Sequence, residues 1–64
     1  MNRLKELRTN AGLSARELAN RTGMAHTTVT RIEKGERKMS IPQAEKFARY
    51  FNVSVDYLIG RTDK

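Results

Sequence analysis

The sequence has no cysteine and no tryptophan, a single histidine and a single proline in 64 residues. Without cysteine there is no disulfide and no thiolate metal site, so the usual staples of small secreted folds are missing. One histidine excludes a structural zinc site, which wants four nitrogen or sulfur ligands. No run approaches 18 apolar residues, the length of a membrane-spanning helix. Residues 1–13 lack the apolar core of a secretory signal. These absences predict a reducing cytoplasm as the setting. Catalytic apparatus is sparse as well. No HExxH pair and no glycine-rich phosphate loop occurs, and the seven carboxylates form no evident pair. So short a chain has little room for a cleft, and neither an enzyme, a cofactor nor a small-molecule ligand is expected.

The length allows one small domain, which buries about 60% of the surface its unfolded chain exposes. What the chain has in excess is positive charge, 13 Lys and Arg against 7 Asp and Glu, for a net +6. Such a balance favours a polyanionic partner, nucleic acid before an acidic membrane. The charge is +3 over residues 1–23, +2 over 24–40 and +1 over 41–64, so it is spread over the domain and not held in a basic arm.

Punctuation is regular along the chain. Glycine stands at 12, 23, 35 and 60, and serine at 14, 40 and 54. Glycine is favoured just past helix ends and serine at helix starts. Ser14 has Glu17 three residues on, and Ser40 has Gln43, each the spacing of a capping box. Ser54 has Asp56 in the first turn, where a carboxylate complements the helix dipole. Between these marks apolar residues recur at helical spacing. Leu4, Leu7 and Ala11 share a face of a first helix. Leu18 and Ala19 face inward from a helix over 15–22, and Val29 and Ile32 from one over 26–34. Ile41, Ala44, Phe47, Ala48 and Phe51 form the longest stripe, with Pro42 in its first turn and Asn52 as a left-handed stop. A last helix over 55–59 places Leu58 inward. The reading is all-α, a compact bundle of five short helices in one domain, with residues 61–64 as a frayed tail.

Residues 15–34, ARELANRTGMAHTTVTRIEK, read as helix, tight turn, helix. Ala19 is small where the second helix passes close over the first, and Gly23 supplies positive φ to the turn. A turn this short crosses the helices at about 90–120° and leaves the second free to project. Its outer face carries His26, Thr27, Thr30 and Arg31, with Thr28 and Lys34 at the flanks. Threonine is a poor helix former, so the composition of this face serves something besides helix stability. Hydrogen-bonding reach into a groove is one such use, and a solvated helix face is the plain alternative.

The chain resembles the Xre-type, Cro- and phage-repressor-like helix-turn-helix domains over about residues 2–60. The segments that carry the likeness are LRTNAGLSARELA, TGMAHTTVTRIEKGER and SIPQAEKFARYFNVSVDYLIG. The resemblance implies a lambda-repressor-like DNA-binding fold and a sequence-specific transcriptional regulator, a repressor that occupies double-stranded DNA. Helix 26–34 would be the recognition helix, its N-terminal part at the base edges of the major groove. On that likeness His26, Thr27 and Arg31 fall at the base-reading places, with Thr30 a secondary candidate. Arg31 suits guanine, whose O6 and N7 accept its two-pronged donor set, and the threonines suit a base hydrogen bond or a thymine methyl. His26 can donate to a base or a phosphate. Phosphate contacts are expected from Asn10, Arg16, Thr28, Lys34, Arg37 and Lys38, which grip without reading sequence. The likeness also implies a partly buried ion pair between Arg8 and Glu33, structural in role.

Three residues depart from the family pattern. Ala15 replaces a glutamine that touches phosphate. Ala25 stands where serine or threonine caps the recognition helix, a loss of about 1 kcal/mol. Lys34 replaces an asparagine before Gly35. One domain makes few contacts, so a homodimer on two half-sites about 34–36 Å apart is expected. Tyr50, Val55, Tyr57 and Ile59 either supply its apolar patch or complete the core. The alternative function is a protein-interaction module, antitoxin-like or an anti-repressor partner, on the same scaffold without tight DNA binding.

Overall fold

In the computed structural model, residues 2–61 are described, and they form five helices and no strand. They are α1 (Leu4–Asn10), α2 (Ala15–Thr22), α3 (His26–Lys34), α4 (Ile41–Phe51) and α5 (Val55–Leu58). No helix among the described residues is long and apolar enough to cross a membrane. The expected helices are present within a residue at their ends. The last closes at Leu58, with Ile59 as its cap. Residues 62–64 of the expected tail lie outside the described residues, and Arg61 is exposed.

Local chemistry sets the boundaries. Ser14 Oγ accepts from Glu17 N while Glu17 Oε1 accepts from Ser14 N, at 3.0 and 2.9 Å. Ser40 and Gln43 make the same reciprocal pair at 3.3 and 3.0 Å. Each box satisfies two donors that a helix start would otherwise leave open. Ser54 Oγ caps α5 by accepting from Tyr57 N at 3.0 Å. Pro42 sits in the first turn of α4, where its missing N–H costs nothing, and Asn52 ends that helix at φ 58°.

The core is one cluster: Leu4, Leu18, Val29, Ile32, Phe47 and Leu58 are fully buried, with Ala19, Ala44 and Ala48 beside them. Two residues expected inside are not there. Ala11 is exposed because α1 ends at Asn10 and Ala11 is already its cap. Ile41 is 76% exposed, because it opens α4 one turn ahead of the Ala44–Phe47–Ala48 stripe and the core does not reach that far. Of the aromatic and β-branched residues near the last helix, Val55 packs against the core, Tyr57 and Ile59 are half-buried and Tyr50 is exposed.

Two tethers close the bundle. Asn2 Oδ1 accepts from Leu4 N, and Asn2 Nδ2 donates to the Ile32 carbonyl, both at 3.0 Å. The chain start is thereby tied to the C-terminal end of α3. Arg3 reaches α5: its N–H donates to the Leu58 carbonyl at 2.8 Å and its Nε to the Tyr57 carbonyl at 3.0 Å. The Arg3 guanidinium also lies 4.5 Å from the centre of the Tyr57 ring, a cation–π contact.

The α2 capping box carries a pH signature. Hydrogen bonds from the Ser14 backbone, then from its side chain, hold the Glu17 carboxyl below the usual carboxylate range, with Arg21 adding attraction. A lowered folded value means that this contribution is present at neutral pH and is lost as pH falls through it. An NMR titration of the Glu17 side chain is expected to give a pKa below that of a free glutamate, and Ser14→Ala to move it back up. An unshifted Glu17 in the unmodified protein would contradict the reading.

Candidate nucleic-acid interface

The helix-turn-helix is built around one carbonyl. The Ala19 oxygen accepts from both Gly23 N, the left-handed cap of α2 at φ 71°, and Met24 N at 2.9 Å. Two residues later Ala25, in extended conformation, begins α3. The reversal presses Leu18 and Ala19 of α2 against the same core as Val29 and Ile32 of α3. Helical spacing then decides the rest. His26, Thr27, Thr30 and Arg31 occupy the side of α3 opposite Val29 and Ile32. His26, Thr27 and Arg31 are exposed and Thr30 is half-buried. Lys34 continues the line at the C-terminal end, exposed, whereas Thr28 turns partly toward the core.

The hydroxyls on this face are not equivalent. Thr30 Oγ1 donates to the Thr27 carbonyl at 3.0 Å, so its proton is engaged within the helix. What Thr30 offers a partner is a lone pair and a methyl group. No such bond engages Thr27. Arg31 presents a guanidinium whose fork matches two adjacent acceptors.

The two ends of α3 differ. At the C-terminal end, Arg8 Nε donates to Glu33 Oε2 at 2.6 Å and Arg8 Nη2 to Glu33 Oε1 at 3.1 Å. Arg8 Nη1 donates to the Leu13 carbonyl at 2.8 Å. The side chains of Arg8 and Glu33 are only 14% and 7% exposed, so the pair sits largely out of water and fastens α1 and the loop before α2 to α3. Gly35, at φ 80°, and Glu36 cap the helix through the Ile32 and Arg31 carbonyls. At the N-terminal end Ala25 provides no side-chain cap, and Ala25, His26 and Thr27 are all exposed. The helix is clamped behind and open in front.

The other expected phosphate residues stand on neighbouring elements. Asn10 ends α1, Arg16 lies in the first turn of α2, and Arg37 and Lys38 stand in the loop between α3 and α4; all four are exposed. Ala15 packs against the core and is half-buried, so no side chain reaches outward from the first position of α2. Sequence reasoning missed Asn2 and Arg3, whose long-range partners leave no local pattern. It also missed the contact of Arg21 with Tyr50, in which Arg21 Nη1 donates to the Tyr50 hydroxyl at 3.2 Å.

The loss of Arg8 is a direct test of the clamp. Arg8→Ala strands the Glu33 carboxylate and is expected to lower unfolding free energy by about 3–5 kcal/mol, whereas Arg8→Met with Glu33→Leu recovers most of it. Urea unfolding of the three proteins measures this. A double variant no more stable than Arg8→Ala would contradict it.

Comparison with known proteins fits this geometry. The family model described as Helix-turn-helix matches residues 4–58. An uncharacterized HTH-type transcriptional regulator of Archaeoglobus fulgidus is 37% identical over 54 residues, covering 84% of this chain and 76% of the relative. The HTH-type transcriptional regulator ImmR of Bacillus subtilis is 31% identical over 61 residues, 95% of this chain and 48% of its own. The uncharacterized regulator YobD of the same organism is 34% identical over 61 residues, covering 95% of this chain and 54% of the relative. The chain thus spans most of the archaeal relative and about half of each Bacillus one. With a matching family model over nearly all its length and the α2–turn–α3 unit in place, the chain belongs to the Xre/Cro-like helix-turn-helix family of DNA-binding transcriptional regulators, a class that binds and does not catalyse.

Proposed function

We propose that this protein is a sequence-specific repressor that inserts α3 into the major groove of double-stranded DNA and acts as a homodimer. The observation that carries the reading is the exposed face of His26, Thr27 and Arg31 on a helix held from behind by Arg8 and Glu33. A helix is about 10–12 Å across and a major groove about 12 Å wide, so the face fits if nothing stands in front of it. In this arrangement Arg31 reads a guanine, Thr27 and His26 read neighbouring base edges, and Thr30 accepts a base amino proton or packs on a thymine methyl. Asn10, Arg16, Thr28, Lys34, Arg37 and Lys38 hold the phosphates on either side and set the register.

The described residues measure 27 Å in their longest direction. That is less than the about 34–36 Å between half-sites one helical turn apart, so two copies are needed to read a palindrome. Occupancy of such an operator blocks a promoter without further chemistry, which is why repression is the regulatory sense proposed. The cytoplasm, where the DNA lies, is the place of action. A protein-interaction module on the same scaffold is the competing function, and the half-buried Ala15, which sends no side chain outward from the first position of α2, is the observation that favours it.

Selection from a random duplex pool is expected to enrich a palindrome, and enrichment of nothing would overturn sequence-specific reading. On the enriched site, Arg31→Ala is expected to lose about 1–3 kcal/mol and to relax preference at one or two base pairs. Equal losses on cognate and random duplexes would remove Arg31 from the readers. Lys38→Ala is expected to weaken all duplexes alike and to lower the salt slope of binding by about 1. A flat salt response of the unmodified protein would favour the protein-interaction function.

A further inference from the structure

We propose that the groove between α2 and α4 is a docking site for an acidic segment of a partner protein that carries a large apolar side chain. The groove holds about 530 Å³ and is lined by Arg21 of α2 and by Pro42, Glu45, Lys46, Arg49 and Tyr50 of α4. On α4 these residues recur at helical spacing on the side opposite the buried Ala44, Phe47 and Ala48. They form a continuous outer stripe that nothing among the described residues covers.

The chemistry of the lining selects its occupant. Three cations, Arg21, Lys46 and Arg49, stand around it against the single carboxylate of Glu45. The floor between them is apolar, made by Pro42 and the Tyr50 ring with the aliphatic stems of the long side chains. Tyr50 is 38% exposed and is one of the two large hydrophobic residues left exposed in the described part of the molecule. Its ring is held in place, edge-on to Phe51 with centroids 5.1 Å apart and by the 3.2 Å hydrogen bond from Arg21 to its hydroxyl. That bond uses one of the five guanidinium donors and leaves the other four of Arg21 for a partner beside the Tyr50 hydroxyl. A carboxylate on the cations and an aromatic or aliphatic side chain on Tyr50 and Pro42 complement both halves of the site.

A nucleic-acid backbone fits less well. Its evenly spaced phosphates meet the Glu45 carboxylate next to Lys46 and gain nothing from Pro42 and Tyr50. The lining also contains no residue of α3 and none of the loop over 35–39. Docking here therefore leaves the helix proposed for DNA free, and the inference stands whether or not that helix reads sequence.

Titration of the whole chain with a capped synthetic peptide, EDFDELED, while following backbone amide shifts by NMR, tests the proposal. The expected result is saturable shifts centred on Arg21, Lys46, Arg49 and Tyr50. Charge reversal by Arg21→Glu with Arg49→Glu is expected to weaken binding by about tenfold or more, and Lys38→Ala by less than about twofold. Replacing the phenylalanine of the peptide by serine is expected to weaken it by about tenfold. Should the charge-reversed protein fail to fold, Tyr50→Phe, which keeps the ring and removes the acceptor of Arg21, is expected to weaken binding about two- to threefold. Shifts centred on α3 or the loop over 35–39, undiminished binding after charge reversal, or absence of saturation would each overturn the proposal. So would duplex DNA that moves the groove amides as strongly as those of α3.

Discussion

The whole arrangement depends on the reversal at Gly23. The Ala19 carbonyl accepts hydrogen bonds from both Gly23 N and Met24 N, and this pair of bonds to one oxygen goes with the left-handed conformation of the glycine. A Cβ placed on Gly23 would touch nothing within 4 Å, so the requirement for glycine lies in the backbone angle and not in space. Once the chain has turned there, Leu18, Ala19, Val29 and Ile32 are committed to one interior. The other side of α3 has no choice but to face outward. The polar face of α3 is thus a by-product of how the apolar face is packed.

Orientation alone would leave α3 hinged on a short turn. The second constraint acts at its far end, where Glu33 receives two donors from Arg8 and the Ile32 carbonyl receives one from Asn2. Removing two charges from water is costly, and such pairs add little net stability. Their value here is positional: α1, the loop before α2 and α3 share one guanidinium. The uncapped front end at Ala25 is the complement of that clamp. A helix start left open to solvent is weaker by about 1 kcal/mol but presents its first residues without a shielding side chain.

The serine capping boxes, the glycine stops and the threonine-rich face were all legible in the sequence, because each is a matter of spacing within one turn or one helix. The same periodicity puts Ala11 and Ile41 on inward faces, and both lie outside. Spacing gives the side of a helix on which a residue sits, but not whether the core extends to that end of it. Ile41 opens α4 beyond the reach of its neighbours, and only the packing of the other helices reveals this. Arg3 on Tyr57, Asn2 on Ile32 and Arg21 on Tyr50 join positions 54, 30 and 29 residues apart. No local pattern encodes such contacts. The nearness of Arg8 to Glu33 was reached through family likeness, since nothing in the spacing of the two residues brings them together.

The function proposed for the face of α3 turns on one claim: that the side chains of Thr27 and Thr30 lie against bases in a major groove. Intermolecular proton–proton contacts observed by NMR, on the chain bound to the duplex that it selects, test this most directly. The account predicts contacts from the Thr27 and Thr30 methyl groups to thymine methyl or cytosine ring protons, which line the major groove. Contacts confined to sugar protons of the minor groove, or a bound duplex with none to α3, would contradict it.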